Sequence, residues 1–361
     1  MNSNDENMPF SGKIAVITSA PDTNEDDFYS ADHLLVKYGA AKIVHVTWPV
    51  NFIGEQERVI DIIASLAADG EIKAIILNQA VPGSNVAVER LRKLRDDVFI
   101  VYCTVHEAPS KAASSADLLL MNDEFGMGPA IVRQAKKQGA KVFVHYSFPR
   151  HMSLKLPSGR RDLIMQACAA EGLLFVDAIT PDPTEHGIDA ARQAIMEDVL
   201  GKVGKYGEDT ALFCTNCFLQ APLIKAVVDS HAIYPQPCCP SPYHGFPEAL
   251  GIETGESLPE LTYIINEACR IASEKNMTDR LSTWPVSASM MFTNAGAEYA
   301  INRIMGEAPK DGIDNDVLKE CMSAYVREVV GEESNVYMKS YSENGVTYDN
   351  FKLILMSYLD F

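Results

Sequence analysis

The sequence predicts an α/β protein of two lobes, each built around a parallel sheet. Strand and helix patterns alternate five times in the first hundred-odd residues, and a second series follows residue 123. The strands are apolar along most of their length, which is typical of parallel sheets covered on both faces. With 361 residues, of which 47% are hydrophobic and 22% charged, the chain is long enough for two domains with ample cores.

The first series follows a polar N-terminus of about eleven residues that we expect to be flexible. Apolar residues at Val59, Ile62, Ile63 and Leu66 have helical spacing. The predicted strands are Lys13–Thr18, Lys42–Thr47, Ala74–Leu77, Val98–Cys103 and Leu118–Met121. The predicted helices are one ending near Tyr38, then Gly54–Ala68 and Asn85–Leu94.

The second series resumes the same pattern and then changes character. Its predicted strands are Lys141–Tyr146, Leu173–Ala178 and Thr210–Cys214. Its predicted helices are Gly128–Gln138, Arg161–Glu171, Gly187–Val203, Ala221–Ser230, Leu258–Lys275, Ser287–Met305 and Asn315–Val330. The proline-rich segment PQPCCPSPYHGFPE after Tyr234 is predicted to be an irregular hinge. We therefore expect a first lobe of residues 12–123 plus about 244–330, and a second of 124–243 plus about 331–361.

The charge of the chain limits its partners. A net charge of -18 and a pI of about 4.8 argue against nucleic acid and against an anionic membrane surface, since both need a basic face. No apolar run has the length of a membrane-spanning helix. The N-terminus, MNSNDENMPFSGK, has no basic region followed by an apolar core, so we expect a cytoplasmic protein. An extracellular lipoprotein is the alternative if a leader precedes this sequence.

Eight cysteines raise the question of a redox or metal site. Most lie inside apolar patterns, as Cys103 and Cys269 do, which favours buried reduced thiols. Cys214 and Cys217 form a C-x-x-C to which Cys238 and Cys239 could add two ligands, although Cys214 could equally face the core. Adjacent cysteines seldom act as a ligand pair, and no histidine spacing supports zinc. The sequence therefore predicts neither a metal nor a cofactor, and G-x-G-x-x-G, GK[ST] and G-x-S-x-G motifs are absent.

The loop after the strand Lys141–Tyr146 is the first candidate for a binding site. In an open α/β sheet, ligands bind beyond the carboxyl ends of the strands, and Ser147, Arg150 and His151 follow this one. The guanidinium of Arg150 presents forked donors that match a carboxylate or phosphate. The alternative is that Arg150 pairs with an acidic residue of its own fold.

Three longer motifs resemble a bacterial family of unknown function, some members of which carry a transcriptional-regulator label. They are FVHYSFPRHMS (143–153), DAITPDPTEHG (177–187) and TALFCTNCFLQAPLI (210–224). The resemblance implies a type-I periplasmic-binding-protein-like fold with two Rossmann-like lobes and a ligand cleft. Regulators of the lactose-repressor class carry a DNA-binding headpiece before the first strand. Because that strand is predicted at Lys13, no headpiece is expected in this chain.

In such a fold, strand-end loops of both lobes supply the ligand contacts. Aromatic rings would stack on a sugar or base, and polar groups would orient it. For each single residue the alternative is a loop cap or a solvent-exposed side chain. The predicted ligand-binding residues are Asp22, Gln79, His106, Asp123, Phe125, His145, Tyr146, Ser147, Arg150, His151, Asp182, Thr215 and Asn216.

Three functions are consistent with these observations. The first is a non-enzymatic protein that closes two lobes on a small polar or anionic ligand, with a transporter or regulator as protein partner. The second is an enzyme acting on a phosphorylated or carboxylated metabolite, with His106, His145 or His151 as acid or base and Asp182 as partner. The third is a sensor without its own headpiece. The enzyme requires a histidine within hydrogen-bond reach of a carboxylate, which distinguishes it from the others.

Overall fold

A computed structural model describes residues 10–21, 23–255, 260–331 and 334–361 of the chain. Asp22, a predicted ligand residue, and most of the N-terminal segment predicted to be flexible therefore lie outside the described residues. The chain divides into two units, and it passes from one to the other three times. Unit 1 comprises Met1–Asn122 and Ala288–Ile354, and unit 2 comprises Asp123–Ser287 and Leu355–Phe361.

The strands and helices of the described residues alternate as the sequence predicts. The strands are β1 Lys13–Thr18, β2 Ile43–Thr47, β3 Ile72–Leu77, β4 Phe99–Cys103, β5 Leu118–Asn122, β6 Val142–Ser147, β7 Leu174–Ile179, β8 Thr210–Cys214, β9 Ser282–Thr283, β10 Val336–Glu343, β11 Val346–Met356 and β12 Leu359–Asp360. The helices are α1 Glu25–Tyr29, α2 Asp32–Tyr38, α3 Gln56–Ala68, α4 Ser84–Arg92, α5 Pro109–Ser115, α6 Glu124–Lys137, α7 Pro149–Met152, α8 Lys155–Glu171, α9 Pro183–His186, α10 Ile188–Tyr206, α11 Gln220–Asp229, α12 Phe246–Leu250, α13 Leu261–Glu274, α14 Ala288–Met305 and α15 Asn315–Val330. Within these described segments, no helix combines the length and apolarity needed to cross a membrane.

Unit 1 is built on a seven-stranded sheet with the order β10-β11-β5-β4-β3-β1-β2. The pairs from β2 through β5 to β11 are all parallel. Helix α14 packs against β3, β4 and β5. A Cβ atom on Gly296 of this helix would lie 2.9 Å from Val101 of β4, so only glycine allows so close an approach.

A C-terminal hairpin completes this sheet, although the sequence analysis did not assign it. Strands β10 and β11 are joined at Asn344 and Gly345, both of which have positive φ. That conformation suits a two-residue hairpin turn. The observed division therefore includes β10 and most of β11 in unit 1, and residues 244–287 in unit 2, where the sequence-based division has the reverse.

Unit 2 has a three-stranded parallel sheet, β7-β6-β8, and a short antiparallel ribbon of β9 and β12. Helices α6 and α8 pack closely, since a Cβ atom on Gly128 would lie 3.1 Å from the Arg160 carbonyl oxygen. Both helices begin earlier than predicted.

Two short helices occupy segments that the sequence analysis predicted to be irregular. Helix α7 forms within the loop after β6, and α12 forms at the end of the proline-rich segment. Each has a proline in its first turn, Pro149 in α7 and Pro247 in α12. The fixed φ of proline suits that position, and its missing N–H is not needed there. The prediction that the proline-rich segment contains no regular element is therefore wrong.

Candidate functional site

The carboxyl ends of β6 and β8 bring three predicted ligand residues together. Because the two strands pair in parallel with Tyr146 opposite Cys214, Ser147 and Thr215 follow side by side. The Ser147 and Thr215 hydroxyl oxygens are 2.9 Å apart, and His151 Nδ1 lies 3.0 Å from the Thr215 oxygen. Burial is the main reason that the pKa of His151 is lowered. We call Ser147, His151 and Thr215 the strand-end cluster.

Arg150 is engaged by an acidic residue of its own unit. Its Nε and Nη2 atoms donate to the two carboxylate oxygens of Asp182 at 2.6 and 2.9 Å, and Nη2 also donates to Thr184 at 3.2 Å. Asp182 is only 3% exposed. The hydrogen bonds from Arg150 are the main reason that the pKa of Asp182 is lowered to about 2. This is the alternative that the sequence analysis left open, and it neutralises Arg150 locally.

His145 and Tyr146 are successive residues of β6, so their side chains point to opposite faces of the sheet. His145 lies near the Phe175 and Phe213 rings, and its Nδ1 is 3.6 Å from Asp177 Oδ1, beyond ordinary hydrogen-bond length. Burial lowers the pKa of His145. The Tyr146 hydroxyl donates to Asp198 of α10 at 3.0 Å. The two predicted ligand residues therefore do not share one site.

Three further predicted residues have local structural contacts. Asp123 caps α6 by accepting from the Gly126 N–H at 3.0 Å. Asn216 accepts from the Phe218 N–H at 3.0 Å and caps the 3₁₀ turn Cys217–Leu219. The Phe125 ring lies against Gly159 of α8, where a Cβ atom would come within 2.6 Å of it.

A cavity of about 430 Å³ opens beside the ends of β6 and β7. An ion pair between Arg161 and Asp177 forms one side of it, with Arg161 Nε 3.2 Å from Asp177 Oδ1. Its volume is in the range of small-molecule sites. Its lining residues are His145, Ser147, Phe148, Pro149, Met152, Ser158, Arg161, Asp162, Asp177, Ala178 and Ile179. We call it the β6–β7 cavity.

Unit 1 has a slightly larger cavity of about 480 Å³, but it lies away from the strand ends. It is lined mainly by α2, α14 and α15, and it contains Lys37 paired with Glu298 and Glu328. None of the predicted ligand residues lines it.

In unit 1, a group of polar side chains surrounds the carboxylate of Asp27, a residue that is 1% exposed. Its carboxylate accepts from Ser19 Oγ at 3.2 Å and from the Gln79 amide. With the Asn78 amide turned to face it, that nitrogen lies 3.2 and 3.3 Å from the carboxylate oxygens. The sequence analysis predicted Gln79 but missed Asp27, because nothing distinguishes this residue within the run Glu25–Asp27. The predicted residue His106 is exposed, and its ring lies 6.3 Å from that of Phe52.

Unit 2 also contains a cluster of three thiols and one imidazole, from Cys217, Cys238, Cys239 and His244. Cys214 is buried in the core, which was the alternative to a C-x-x-C site. The Cys217 sulfur instead lies 3.5 Å from Cys238 and 3.9 Å from Cys239, and Cys238 lies 3.6 Å from His244 Nε2. Hydrogen bonds from Cys238 and Cys239 lower the pKa of the Cys217 thiol. His244 could act as a metal ligand, and the sequence analysis did not identify it because it found no histidine spacing typical of a zinc site.

Residues 12–282, about three quarters of the chain, match the family described as "Protein of unknown function (DUF3798)". The chain belongs to this family. The predicted resemblance to a bacterial family of unknown function is confirmed.

Two relatives of this DUF3798 protein come from Treponema pallidum (strain Nichols), and both are described as an "Uncharacterized protein". One is 32% identical over 176 residues, which cover 47% of this chain and 80% of the relative. The other is 35% identical over 165 residues, which cover 45% of this chain and 76% of the relative.

Solved structures confirm the predicted type-I periplasmic-binding-protein-like fold. A "Putative transcriptional regulator" from Clostridium difficile 630 has a TM-score of 0.86 at 21% identity, covering 98% of this chain and 99% of that chain. A sugar ABC transporter from Actinomyces odontolyticus ATCC 17982 has a TM-score of 0.55 at 12% identity, covering 82% and 84%. A sugar ABC transport system substrate-binding protein from Bordetella parapertussis 12822 has a TM-score of 0.51 at 12% identity, covering 97% and 89%. At these identities the likeness concerns the fold alone.

Proposed function

We propose that this chain is a small-molecule binding protein whose ligand enters the β6–β7 cavity of unit 2. The observation that carries the proposal is the composition of that cavity at the carboxyl end of a parallel sheet. The Ser147 hydroxyl and the Arg161–Asp177 pair supply polar groups, and Phe148, Met152 and Ile179 supply apolar surface. A few polar groups set in an apolar wall are the usual make-up of a small-molecule site.

The charges around this cavity favour a neutral polar ligand, such as a sugar or polyol, over an anion. Arg161 is paired with Asp177, Arg150 with Asp182, and Arg160 with Glu124 at 2.7 Å. An anion would have to compete with these carboxylates for the guanidinium groups. Hydroxyl groups can instead donate to the carboxylates and accept from the arginines without breaking the pairs.

The contacts of the histidines do not favour the enzymatic alternative. His151 Nδ1 contacts the hydroxyl of Thr215, and His145 is 3.6 Å from Asp177. Asp182, the carboxylate expected to assist a catalytic histidine, forms hydrogen bonds with Arg150. A binding role, in transport or in sensing through a protein partner, makes use of the same residues without requiring proton transfer.

Binding can be tested with a thermal-shift screen of sugars, polyols and sugar acids on the wild-type protein, followed by calorimetry on the strongest neutral compound. Ile179 lines the cavity and is 80% exposed, so Ile179→Trp should fill the entrance at little cost to folding. The matched control is Ile53→Trp, at an isoleucine of unit 1 that is 69% exposed. We expect the ligand to stabilise the wild type and the control equally, and the Ile179 variant much less.

Equal stabilisation of all three proteins would exclude the β6–β7 cavity as the site. The binding function itself would be wrong if no compound of the panel stabilised the wild type and native mass spectrometry of freshly purified protein detected no bound small molecule. Stronger stabilisation by sugar acids than by neutral sugars would contradict the proposed ligand class.

A further inference from the structure

The cysteine–histidine group of unit 2 does not line the β6–β7 cavity, and three of its ligand atoms are close enough together to hold a metal ion. The sulfurs of Cys217, Cys238 and Cys239 form a triangle with sides of 3.5, 3.9 and 3.9 Å. The ligand atoms of Cys217, Cys238 and His244 all lie within 4.8 Å of one another. We propose that Cys217, Cys238, Cys239 and His244 bind one Zn²⁺ ion.

The sulfur–sulfur and Cys238–His244 distances agree with tetrahedral coordination, whereas the Cys239 sulfur is not within 4.8 Å of every other ligand atom and must move closer to complete the site. Zn–S bonds of about 2.3 Å at tetrahedral angles separate two sulfurs by about 3.8 Å, and a Zn–N bond of about 2.0 Å puts sulfur and nitrogen about 3.5 Å apart. The observed sulfur separations are 3.5 to 3.9 Å, and Cys238 Sγ lies 3.6 Å from His244 Nε2. Three thiolates and one imidazole are one of the standard donor sets of structural zinc.

Local backbone structure explains how neighbouring cysteines serve one ion. In an extended strand Cys238 and Cys239 would point to opposite sides, but the chain bends at both residues. A turn follows, in which the His244 N–H donates to the Ser241 carbonyl at 3.1 Å, and it returns the imidazole toward Cys238. This bend removes the objection that the sequence analysis raised against adjacent cysteines.

Gln220, which is fully buried, holds the two ligand segments together. Its amide nitrogen donates to the carbonyls of Cys214 and Asn216 at 3.2 and 2.5 Å, just before Cys217. Its amide oxygen accepts from the Cys238 N–H at 3.3 Å. The ligand positions are therefore fixed by outer contacts, as zinc sites require.

A glycine beside His244 adds to this positioning. Gly245 has φ +84°, and a Cβ atom there would lie 2.9 Å from Gln220 Cβ. The loop that carries His244 can therefore pack directly on the start of α11.

A disulfide is the competing use of these thiols. The Cys217–Cys238 distance of 3.5 Å would have to shorten to about 2.05 Å, and the pair would leave Cys239 and His244 without a role. Zinc uses all four groups, and the exposure of Cys217 and Cys239 gives the ion a path from solvent. This proposal does not depend on the proposed sugar or polyol binding.

The test uses the full chain, reduced and stripped of metal by chelator and then titrated with ZnCl₂ against a chromophoric chelator. We expect one zinc per chain for the wild type. Cys217→Ser and His244→Ala should bind zinc at least tenfold more weakly. The control is Cys168→Ser, which removes a buried thiol of α8 in the same unit and should bind like the wild type. Circular dichroism verifies that each variant is folded.

A second measurement requires no variant. Co²⁺ added to the reduced wild type should produce thiolate charge-transfer absorption and the visible bands of a tetrahedral site, and Zn²⁺ should abolish both. The proposal is wrong if the folded, reduced wild type binds less than stoichiometric zinc and gives no cobalt–thiolate absorption. It is equally wrong if Cys217→Ser keeps wild-type affinity, or if only Cu⁺ binds to these residues.

Discussion

At the scale of single residues, Arg150 lies beyond the end of β6 as predicted, and it forms the second of the two pairings that the sequence left open. Sequence reasoning predicted a forked guanidinium beyond the end of β6 that could bind a ligand anion. The structure has that guanidinium on Asp182, a buried carboxylate that also caps α9 through the Thr184 N–H. A pairing of residues 32 positions apart depends on the path of two loops, which no local pattern encodes.

This pair should make stability depend on pH in acid. The pKa of Asp182 in the folded state, about 2, lies below the ordinary value of about 3.9. The contribution of Asp182 to the free energy of unfolding is therefore present above pH 4 and is lost as pH falls through 2. We expect Arg150→Ala to lower the melting temperature at pH 7 and to flatten its decline between pH 4 and 2. Thermal melts across pH 2–7 measure both effects.

Arg270→Ala is the matched control, because Arg270 pairs with Glu267 and Glu274 on α13 of the same unit, whose side chains are 30% and 62% exposed. It should shift the melting temperature less at pH 7. Equal shifts for the two variants would show that the Arg150–Asp182 pair contributes no more than a surface ion pair.

At the scale of secondary-structure elements, helix starts explain several residues that sequence reasoning interpreted as ligand contacts. Asp123, Asp182 and Asn216 each accept a backbone N–H at the first turn of a helix. Carboxylate and amide side chains are preferred at these positions because the first N–H groups have no partner within the helix. The same residue types bind polar ligands, so composition alone cannot distinguish the two roles.

The cap of α6 provides a direct test. Asp123→Ala should lower the free energy of unfolding by about 1 kcal/mol, because the Gly126 N–H loses its acceptor. Asp123→Ser retains a capping oxygen and should recover most of that loss. Urea denaturation at constant m-value measures both variants. If serine proves as destabilising as alanine, contacts of Asp123 other than the cap determine its contribution.

The hairpin of β10 and β11 is an element whose signal was present in the sequence but not used. Asn344-Gly345 is among the strongest short-range hairpin signals, and strand-forming residues lie on both sides of it. The edge strand β10 is only partly buried, so the apolar run that identified the inner strands was missing. The strands β1 and β8, by contrast, were predicted with the bounds observed, because nearly all their residues are buried and carry a continuous apolar signal.

At the scale of the whole molecule, the acidic composition leads to a prediction about nucleic acid. With a net charge of -18, the chain should be repelled by phosphate backbones rather than bind them. Gel-shift experiments with duplex DNA at about 0.15 M salt should detect no complex at micromolar protein. A shifted band that weakens with added salt would reveal a basic surface that the overall composition conceals.

More of the fold than of the candidate site could be predicted from the sequence, because secondary structure depends on residues that are close along the chain and the site depends on residues that are distant. Strand and helix patterns arise from neighbours along the chain, so the α/β alternation and the position of Ser147 and Thr215 at strand ends could be predicted. Asp27 and His244 acquire their surroundings only when distant segments meet. The proline-rich segment that contains His244 was recognised in the sequence, but neither its bend at Cys238 and Cys239 nor the helix α12 at its end could be predicted from the residues.

The path of the chain has a consequence for how this protein is made. Unit 2 draws its three-stranded sheet from the continuous stretch Asp123–Ser287, whereas unit 1 needs α14 and the hairpin strands from Ala288–Ile354. On a ribosome, β5 would therefore emerge long before β11, the strand with which it pairs. Domains generally fold as units during synthesis, usually the N-terminal one first. In this protein we expect the reverse order, in which unit 2 folds before unit 1. The apolar edge at β5 would then remain unpaired until β11 has been translated.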